Sequence, residues 1–460
     1  MRVVLVLALV ACGDKLPVAE LQDPATCQEC HPKHYQQWSG SMHAYSSDDP
    51  VFLAMNKRGQ RETNGELGDF CIQCHAPMAI QLGVATGANF DPAALPPAAR
   101  GVTCYFCHNV DEVTADHNNG LVLAMDQTMR GGAKKPVDSP AHNSAYDTLM
   151  ASKTNNSTMC GSCHDVTTPR GVTLERTFSE WKATIFATTD PVAFLPQTCS
   201  GCHMKPTTET IAEGDNVKSR TDGFHEHMWP AIDQALTPFP ELEAQAAAVE
   251  RELKSSVKII GTRPLGSRDA MGGICVAPNG ELTVRVDSLS VGHMFPSGAA
   301  QDRRMWLEVR AFRSDNSVVF ESGIVPAGQD PEDISDPNLK GFWDRTFKDD
   351  NTQAHFFWDV ARYDSQLIRP AVTLDPNSPL FDHSTTAKFL VASISEIDRV
   401  EAQLYVRPLA YSIFHELELT GDIDPSIKTK LETLLIGEKS IWTKATAGTG
   451  AALNTPCNPF

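Results

Sequence analysis

Cys27-Gln-Glu-Cys30-His31, Cys71-Ile-Gln-Cys74-His75, Cys104-Tyr-Phe-Cys107-His108, Cys160-Gly-Ser-Cys163-His164 and Cys199-Ser-Gly-Cys202-His203 are five copies of one pentapeptide and hold ten of the chain's 13 cysteines. The spacing has a chemical reason. Two thiols three positions apart can form thioethers with the two vinyl groups of one haem, and the histidine that follows reaches the iron as proximal ligand. Zinc knuckles need paired Cys-x-x-Cys units and no obligatory histidine after them. A thioredoxin-like redox motif would occur once, beside a βαβ pattern. The reading is therefore five covalently bound c-type haems, with His31, His75, His108, His164 and His203 on the irons.

The rest of the composition is consistent with a globular chain. It has 460 residues, is 41% hydrophobic and carries a formal net charge of -18. The length implies several domains with real cores. The acidic balance argues against nucleic acid, because phosphate neutralisation needs a basic face. It favours basic redox partner proteins, or contact through a local patch.

Five irons ligated by two histidines each need five distal ligands. Eleven of the 15 histidines lie between Cys27 and Met228. His43 and His142 are the expected distal ligands; Tyr35 and Trp38, upstream of His43, share a helical face with His31 and are placed to pack on a porphyrin. At least one of His225 and His227 should be a ligand, and which one is open. His117 and His293 are further candidates. His34, three residues past His31, cannot reach the opposite face of the same iron and reads as a surface histidine. Met204 directly follows a proximal histidine and should not swing back to the same iron. One iron left with an open position would bind substrate, whereas a six-coordinate one only moves electrons.

The haem half resembles the multihaem cytochromes of the cytochrome c-554/c-prime type. The resemblance rests on Cys27-x-x-Cys30-His31 with Tyr35, Trp38, Ser41 and His43-Ala44, and on Gly101-Val102-Thr103-Cys104. It continues through Cys160-Gly161-Ser162-Cys163-His164-Asp165, Thr177-Phe178-Ser179-Glu180-Trp181 and Cys199-Ser200-Gly201-Cys202-His203-Met204. It covers about residues 25–230. A later stretch, Gly292-His293-Met294-Phe295-Pro296-Ser297-Gly298 with Arg304 and Trp306-Leu307-Glu308, resembles a β-rich domain that follows such modules. The resemblance implies helical haem packing with bis-histidine irons in a chain, one of them five-coordinate in some members, and electron transfer outside the cytoplasm. The type member has four haems, so a fifth is a departure.

Met1-Arg2, the apolar run Val3–Val10 and Ala11-Cys12-Gly13 read as a secretory signal. Cys12 also looks like a lipobox cysteine, so the chain is expected to be exported to the periplasm or cell surface and held as a lipoprotein on the inner or outer membrane. The apolar run is too short to span a bilayer. The expected organisation is a signal peptide over 1–11, a lipidated tether over 12–24, a pentahaem domain over 25–235, a connecting helix within 236–264, an antiparallel β-sandwich over 265–420, and a C-terminal helix (about Pro425 to Trp442) and tail over 421–460. The fold class is α+β, a mostly helical, loop-rich module followed by the sandwich.

The sandwich rests on period-two alternation at Leu282-Val284-Val286, Met305-Leu307-Val309-Ala311 and Val400-Ala402-Leu404-Val406. Cys275 and Cys457 flank this half and form a possible disulfide, which export permits. The stretch Asp330–Asp336 reads as a solvated acidic loop rather than a calcium site. No Ser-His-Asp, P-loop or dinucleotide motif is present. Every haem motif ends in His, which argues against a lysine-ligated nitrite-reductase haem. The leading functional expectation is an electron carrier. The alternatives are an oxidoreductase with one open haem acting on a small nitrogen or sulfur compound, and a subunit of an extracellular conduit or filament.

Overall fold

The computed structural model describes residues 15–151, 157–187, 197–214, 217, 218, 220, 221, 223–259, 273–277, 279–375 and 377–447. The expected signal peptide, Cys12 and Cys457 lie outside the described residues. Cys275 is disulfide-bonded.

The motif-bearing half is built from short helices. Pro at the first helical position opens several of them, including α1 (Pro32–Ser39) and α2 (Pro50–Glu62), where a missing N–H costs nothing. The second to fifth motifs lie in or at the start of a short helix and the first at the end of one, Pro24–Gln28, with its second cysteine in the turn that follows. Two-stranded β pairs stitch the loops between motifs, among them Val110–Ala115 with Gly120–Leu123 and Val166–Thr167 with Thr173–Glu175. Residues from Leu16 onward are packed rather than tethered. Leu16 N donates to Ala141 O at 2.9 Å, and Leu21 is buried beside Met78, Tyr105 and Phe106. The apolar side chains of this N-terminal segment have a wall to cover, which a linker of the same length would not.

The connecting helix, α3, spans Leu242–Ser255. After it come β1 (Lys258–Ile259), β2 (Ile274–Val276), β3 (Glu281–Asp287), β4 (Arg304–Phe312), β5 (Val318–Ser322), β6 (Lys340–Phe342), β7 (Ser384–Leu390), β8 (Arg399–Arg407) and β9 (Leu434–Thr443). One sheet runs β2-β3-β7, with β1 also on β3; the other runs β5-β4-β8-β9, with β6 also on β4; all pairings are antiparallel. The alternating apolar residues of β3, β4 and β8 are buried in one shared core, and the register Leu307↔Leu404 and Val309↔Ala402 keeps them on one face. The chain is thus α+β with a β-rich C-terminal half.

Two expectations fail here. The segment expected as a C-terminal helix is a 3-10 turn, Pro425–Lys430, followed by β9. The open edge of β8 takes this segment as a strand, and Gln403 Nε2 donates to Ile436 O at 3.0 Å across the bulge in their pairing. Tertiary pairing outweighs local helical preference. The loop at Asp330 is also not simply solvated. Asp330 is fully buried, accepts from Arg407 Nη1 at 2.8 Å, and receives the backbone N–H groups of Tyr411 and Ser412 at the start of α4 (Tyr411–Leu419).

The halves meet over an extensive apolar seam. Ala54 of α2 packs with Ile413 and Phe414 of α4, and Phe178, Trp181 and Phe186 pack with Ala371. Among the described residues no helix is long and apolar enough to cross a membrane.

Candidate functional site

One continuous cavity of about 1710 Å³ runs through the motif-bearing half and is lined by all ten motif cysteines and all five motif histidines. His43, His142, His227 and His293 line it as well, and so do His34 and His225.

The histidines are paired across this cavity. His31 faces His142 with ring centroids 6.3 Å apart, His43 faces His164 at 6.1 Å, His108 faces His227 at 6.2 Å, and His203 faces His293 at 6.3 Å. Two imidazoles each bound at about 2 Å to one metal ion place their centroids about 6 Å apart. Four motif histidines therefore stand opposite a second imidazole at the separation an intervening iron requires.

The tautomers fit as well. Nδ1 of His31, His75, His108 and His203 lies 2.5–3.2 Å from the backbone carbonyls of Ile211, Ser46, Arg130 and Pro230. Nδ1 of His142, His227 and His293 lies 2.7–2.9 Å from those of Asn143, His225 and Met294. A carbonyl only accepts, so Nδ1 carries the proton and Nε2 keeps a lone pair for the metal. Burial holds His43 down to about 3, and His75 and His293 down to about 4, so these rings are neutral at physiological pH, as ligation requires.

The backbone locks these histidines in place. His43 sits in a short helix, Met42–Tyr45, capped by Ser41 Oγ, which accepts from Ala44 N at 3.3 Å. Its carbonyl receives Val102 N at 2.8 Å. That approach needs Gly101: its φ is +62°, and a Cβ there would lie 2.6 Å from His43 O. His293 hangs from the loop before β4, and Glu180 holds that loop. Glu180 Oε2 accepts from Ser297 Oγ at 2.7 Å and from Met294 N at 3.2 Å. The Thr177–Lys182 helix thus joins the motif-bearing half to the sandwich.

His75 differs from the other four. Among the described residues, the ring it meets is Phe52, centroids 4.2 Å apart and planes 4° apart. That spacing is too short for an intervening metal, so Phe52 lies against the imidazole itself.

The remaining expected residues fall as follows. His117 is half-exposed, 3.5 Å from Asp116 Oδ1, outside the cavity and opposite no motif histidine. The polar turn that carries it faces solvent. His225 lines the cavity with Nδ1 2.7 Å from Met204 O, and it is His227 that stands opposite His108. His34, expected at the surface, is interior. It stacks on Phe224 at 4.1 Å and meets His227 edge-on at 4.5 Å, and burial lowers it to about 3. The three-residue spacing from His31 excludes it from one iron but does not place it against its neighbour's ligand.

The motifs also touch one another. The Cys27 thiol contacts that of Cys104, Cys74 contacts Cys163, Cys160 contacts Cys199, and Cys107 lies near Cys163. This contact order runs from the first motif to the third and on to the fourth, which also borders the second and the fifth. Gly161, inside the fourth motif, lets the helix close on Phe178, whose ring would lie 2.2 Å from a Cβ. At the cavity wall Arg303 donates to Asp233 Oδ2 at 2.6 Å, while its buried Nε has no partner among the described residues. An unpaired buried guanidinium N–H suits a carboxylate-bearing cofactor, and haem has two such groups.

Thiol pairs, neutral imidazoles across a large cavity and an anion-seeking wall are the features that several covalently bound haems would require. Residues 26–109 match the family model described as cytochrome c554 and c-prime. Among solved structures, the penta-heme cytochrome c552 from Thermochromatium tepidum is similar, with a TM-score of 0.60 over 91% of this chain and 97% of that one at 18% identity. At that identity the likeness is one of fold. No curated protein shows significant similarity to the chain.

Proposed function

We propose that the chain carries five c-type haems and passes electrons among them between partner proteins outside the cytoplasm. The observation that carries this reading is the contact between cysteines of different motifs. Each thiol marks a haem edge, so neighbouring haems would sit edge to edge within one cavity and electrons would hop between them. Four facing histidine pairs support bis-histidine ligation, which moves electrons without binding substrate. Export, with lipidation at Cys12, belongs to the same proposal; it draws on the leader at Met1–Gly13 and on haem attachment occurring outside the cytoplasm. The test is the intact mass of the holoprotein together with a potentiometric titration followed by its absorption spectrum. Five haem additions and reversible reduction over several potentials support the reading; fewer additions, or haems that do not reduce reversibly, contradict it.

A second reading is favoured by His75, which among the described residues has no second imidazole standing opposite it as the other four motif histidines do. A haem on Cys71 and Cys74 would have one protein-derived histidine and an open face for a small nitrogen or sulfur compound. Carbon monoxide binding to one haem of the reduced protein supports it, and no binding removes it.

A further inference from the structure

We propose that Trp229 is a positioning residue shared by two irons, whose ring sets the orientation of the imidazoles of His43 and His227 together. The third and fourth haems then hold their potentials as a pair. The inference rests on the electron-transfer reading, which puts those haems between His108 and His227 and between His164 and His43.

The indole touches both rings from within the cavity. Its centroid lies 4.7 Å from that of His43 with the planes at 78°, and 5.1 Å from that of His227 with the planes at 70°. Both contacts are edge-on, a geometry that the quadrupole of an aromatic ring favours. They reach different irons, since His43 faces His164 and His227 faces His108. His34 meets His227 edge-on as well, at 4.5 Å, so two rings hold that imidazole.

The backbone at Trp229 is a second, independent observation. Its φ is +45°, in the left-handed region that bulky side chains avoid, and the following Pro230 biases it toward extended backbone. Gly or Asn takes a left-handed conformation with less strain. The ring, rather than the turn, therefore accounts for a tryptophan at this position. Strain of this kind persists only where the surroundings over-determine it. Glu226 N donates to Lys205 O at 3.0 Å, His227 N donates to Gln37 Oε1 at 2.8 Å, and Pro230 O lies 3.0 Å from His203 Nδ1. Residues 225–230 thus form a strap fixed to α1 and to the fifth motif, and the strap carries the indole.

A group pressed against a ligand ring fixes its rotation about the metal bond and tunes the metal. One indole against two such rings does so for both irons at once. The thiols of Cys107 and Cys163 lie near each other, so these haems would be neighbours in the electron path. Matched potentials there let an electron hop in either direction.

The test compares the holoprotein with its Trp229→Gly and Trp229→Phe variants by electron paramagnetic resonance and potentiometric titration. Glycine takes a φ of +45° without strain, so that variant reports the lost ring and keeps the Pro230 contact. Two low-spin signals should shift in Trp229→Gly, the same two that His43→Ala and His227→Ala convert to high spin. Both potentials should fall, because water in place of the indole favours the ferric state. The signals of the other haems should stay as they are. Trp229→Phe, which keeps a smaller ring, should move the same two signals less. A shift of one signal, of none, or of all alike overturns the inference. If Trp229→Gly does not take up haem, Trp229→Phe decides: two shifted signals support the inference and an unchanged spectrum overturns it. Peptide masses of the parent that lack haem on Cys104 and Cys107, or on Cys160 and Cys163, would overturn the electron-transfer reading and this inference with it. Five haems that reduce reversibly, with a Trp229→Gly spectrum like that of the parent, would overturn the inference alone.

Discussion

His203, from the last motif, and His293, from the loop before the first long strand of the second sheet, face each other with ring centroids 6.3 Å apart and planes 13° apart. The β-rich half is therefore more than a cap on the motif-bearing half, because it reaches into the cavity and sets an imidazole opposite a motif histidine. Replacing His293 by Ala should turn one low-spin haem high-spin without unfolding the protein. Electron paramagnetic resonance of the oxidised variant checks this, and a spectrum identical to that of the parent would remove His293 from the site.

Glu180 positions the loop that carries His293 from across the junction. Its carboxylate accepts from Ser297 Oγ and Met294 N, so Glu180→Ala leaves two donors of the His293 loop without their acceptor, at a cost of about 1–3 kcal/mol. The expected signature is a partial high-spin population, reduced in Glu180→Gln, which keeps one acceptor oxygen. Loss of stability without any spectral change would make Glu180 purely structural.

Gly101 acts on His43 in the same way from the backbone. A side chain at φ +62° would meet the carbonyls of His43 and Ala44 at 2.6 and 2.5 Å. Gly101→Ala should therefore displace His43 and produce a high-spin signal, whereas His117→Ala, at an exposed turn outside the cavity, should leave the spectrum as it was.

Much of this site is legible in the amino-acid sequence. Five identical spacings specify attachment, and His43 and His142 stand out because each lies in a stretch that also carries features of its own. The choice between His225 and His227 is not legible there. It depends on which backbone carbonyl each Nδ1 meets, Met204 O for one and His225 O for the other. His34 misleads for a related reason: the three-residue rule concerns only its own iron, while its burial comes from Phe224 and His227, nearly 200 residues away. In the second half, alternation in β3, β4 and β8 announces the sandwich. β9 does not announce itself, since its pattern mixes exposed Leu435 and Ile441 with buried Ile436, and only the edge of β8 makes it a strand.

Asp330 and Arg407 form a buried pair, their side chains 0% and 3% exposed. Removing one partner strands the other charge in the interior, so Asp330→Ala should cost about 3–5 kcal/mol. It also uncaps α4, which packs on α2 of the other half. Urea denaturation of the holoprotein measures the loss; a change below about 1 kcal/mol would show that the pair is dispensable.

Asp422 gives the junction a dependence on acid. Its hydrogen bonds with Arg61, at 2.8 and 2.6 Å, hold its carboxyl down to about 2. A depressed carboxylate stabilises the native state above the ordinary value of about 4, and that contribution is lost as pH falls from about 4 to about 2. With Arg61 half in solvent, it is worth about 1–2 kcal/mol. The stability gap between the parent and Asp422→Asn should be full at pH 6 and reduced to about a third of that at pH 2.5. A gap of equal size at both values would assign the effect to something other than this charge.

The pattern of iron ligation is tested most directly by near-infrared magnetic circular dichroism of the oxidised holoprotein, which separates bis-histidine low-spin haems from high-spin ones. If five haems are bound as proposed, the four facing histidine pairs predict bis-histidine bands for four of them, and the open-haem reading adds a high-spin signal for the one on Cys71 and Cys74. Five low-spin haems, or more than one high-spin haem, would contradict it.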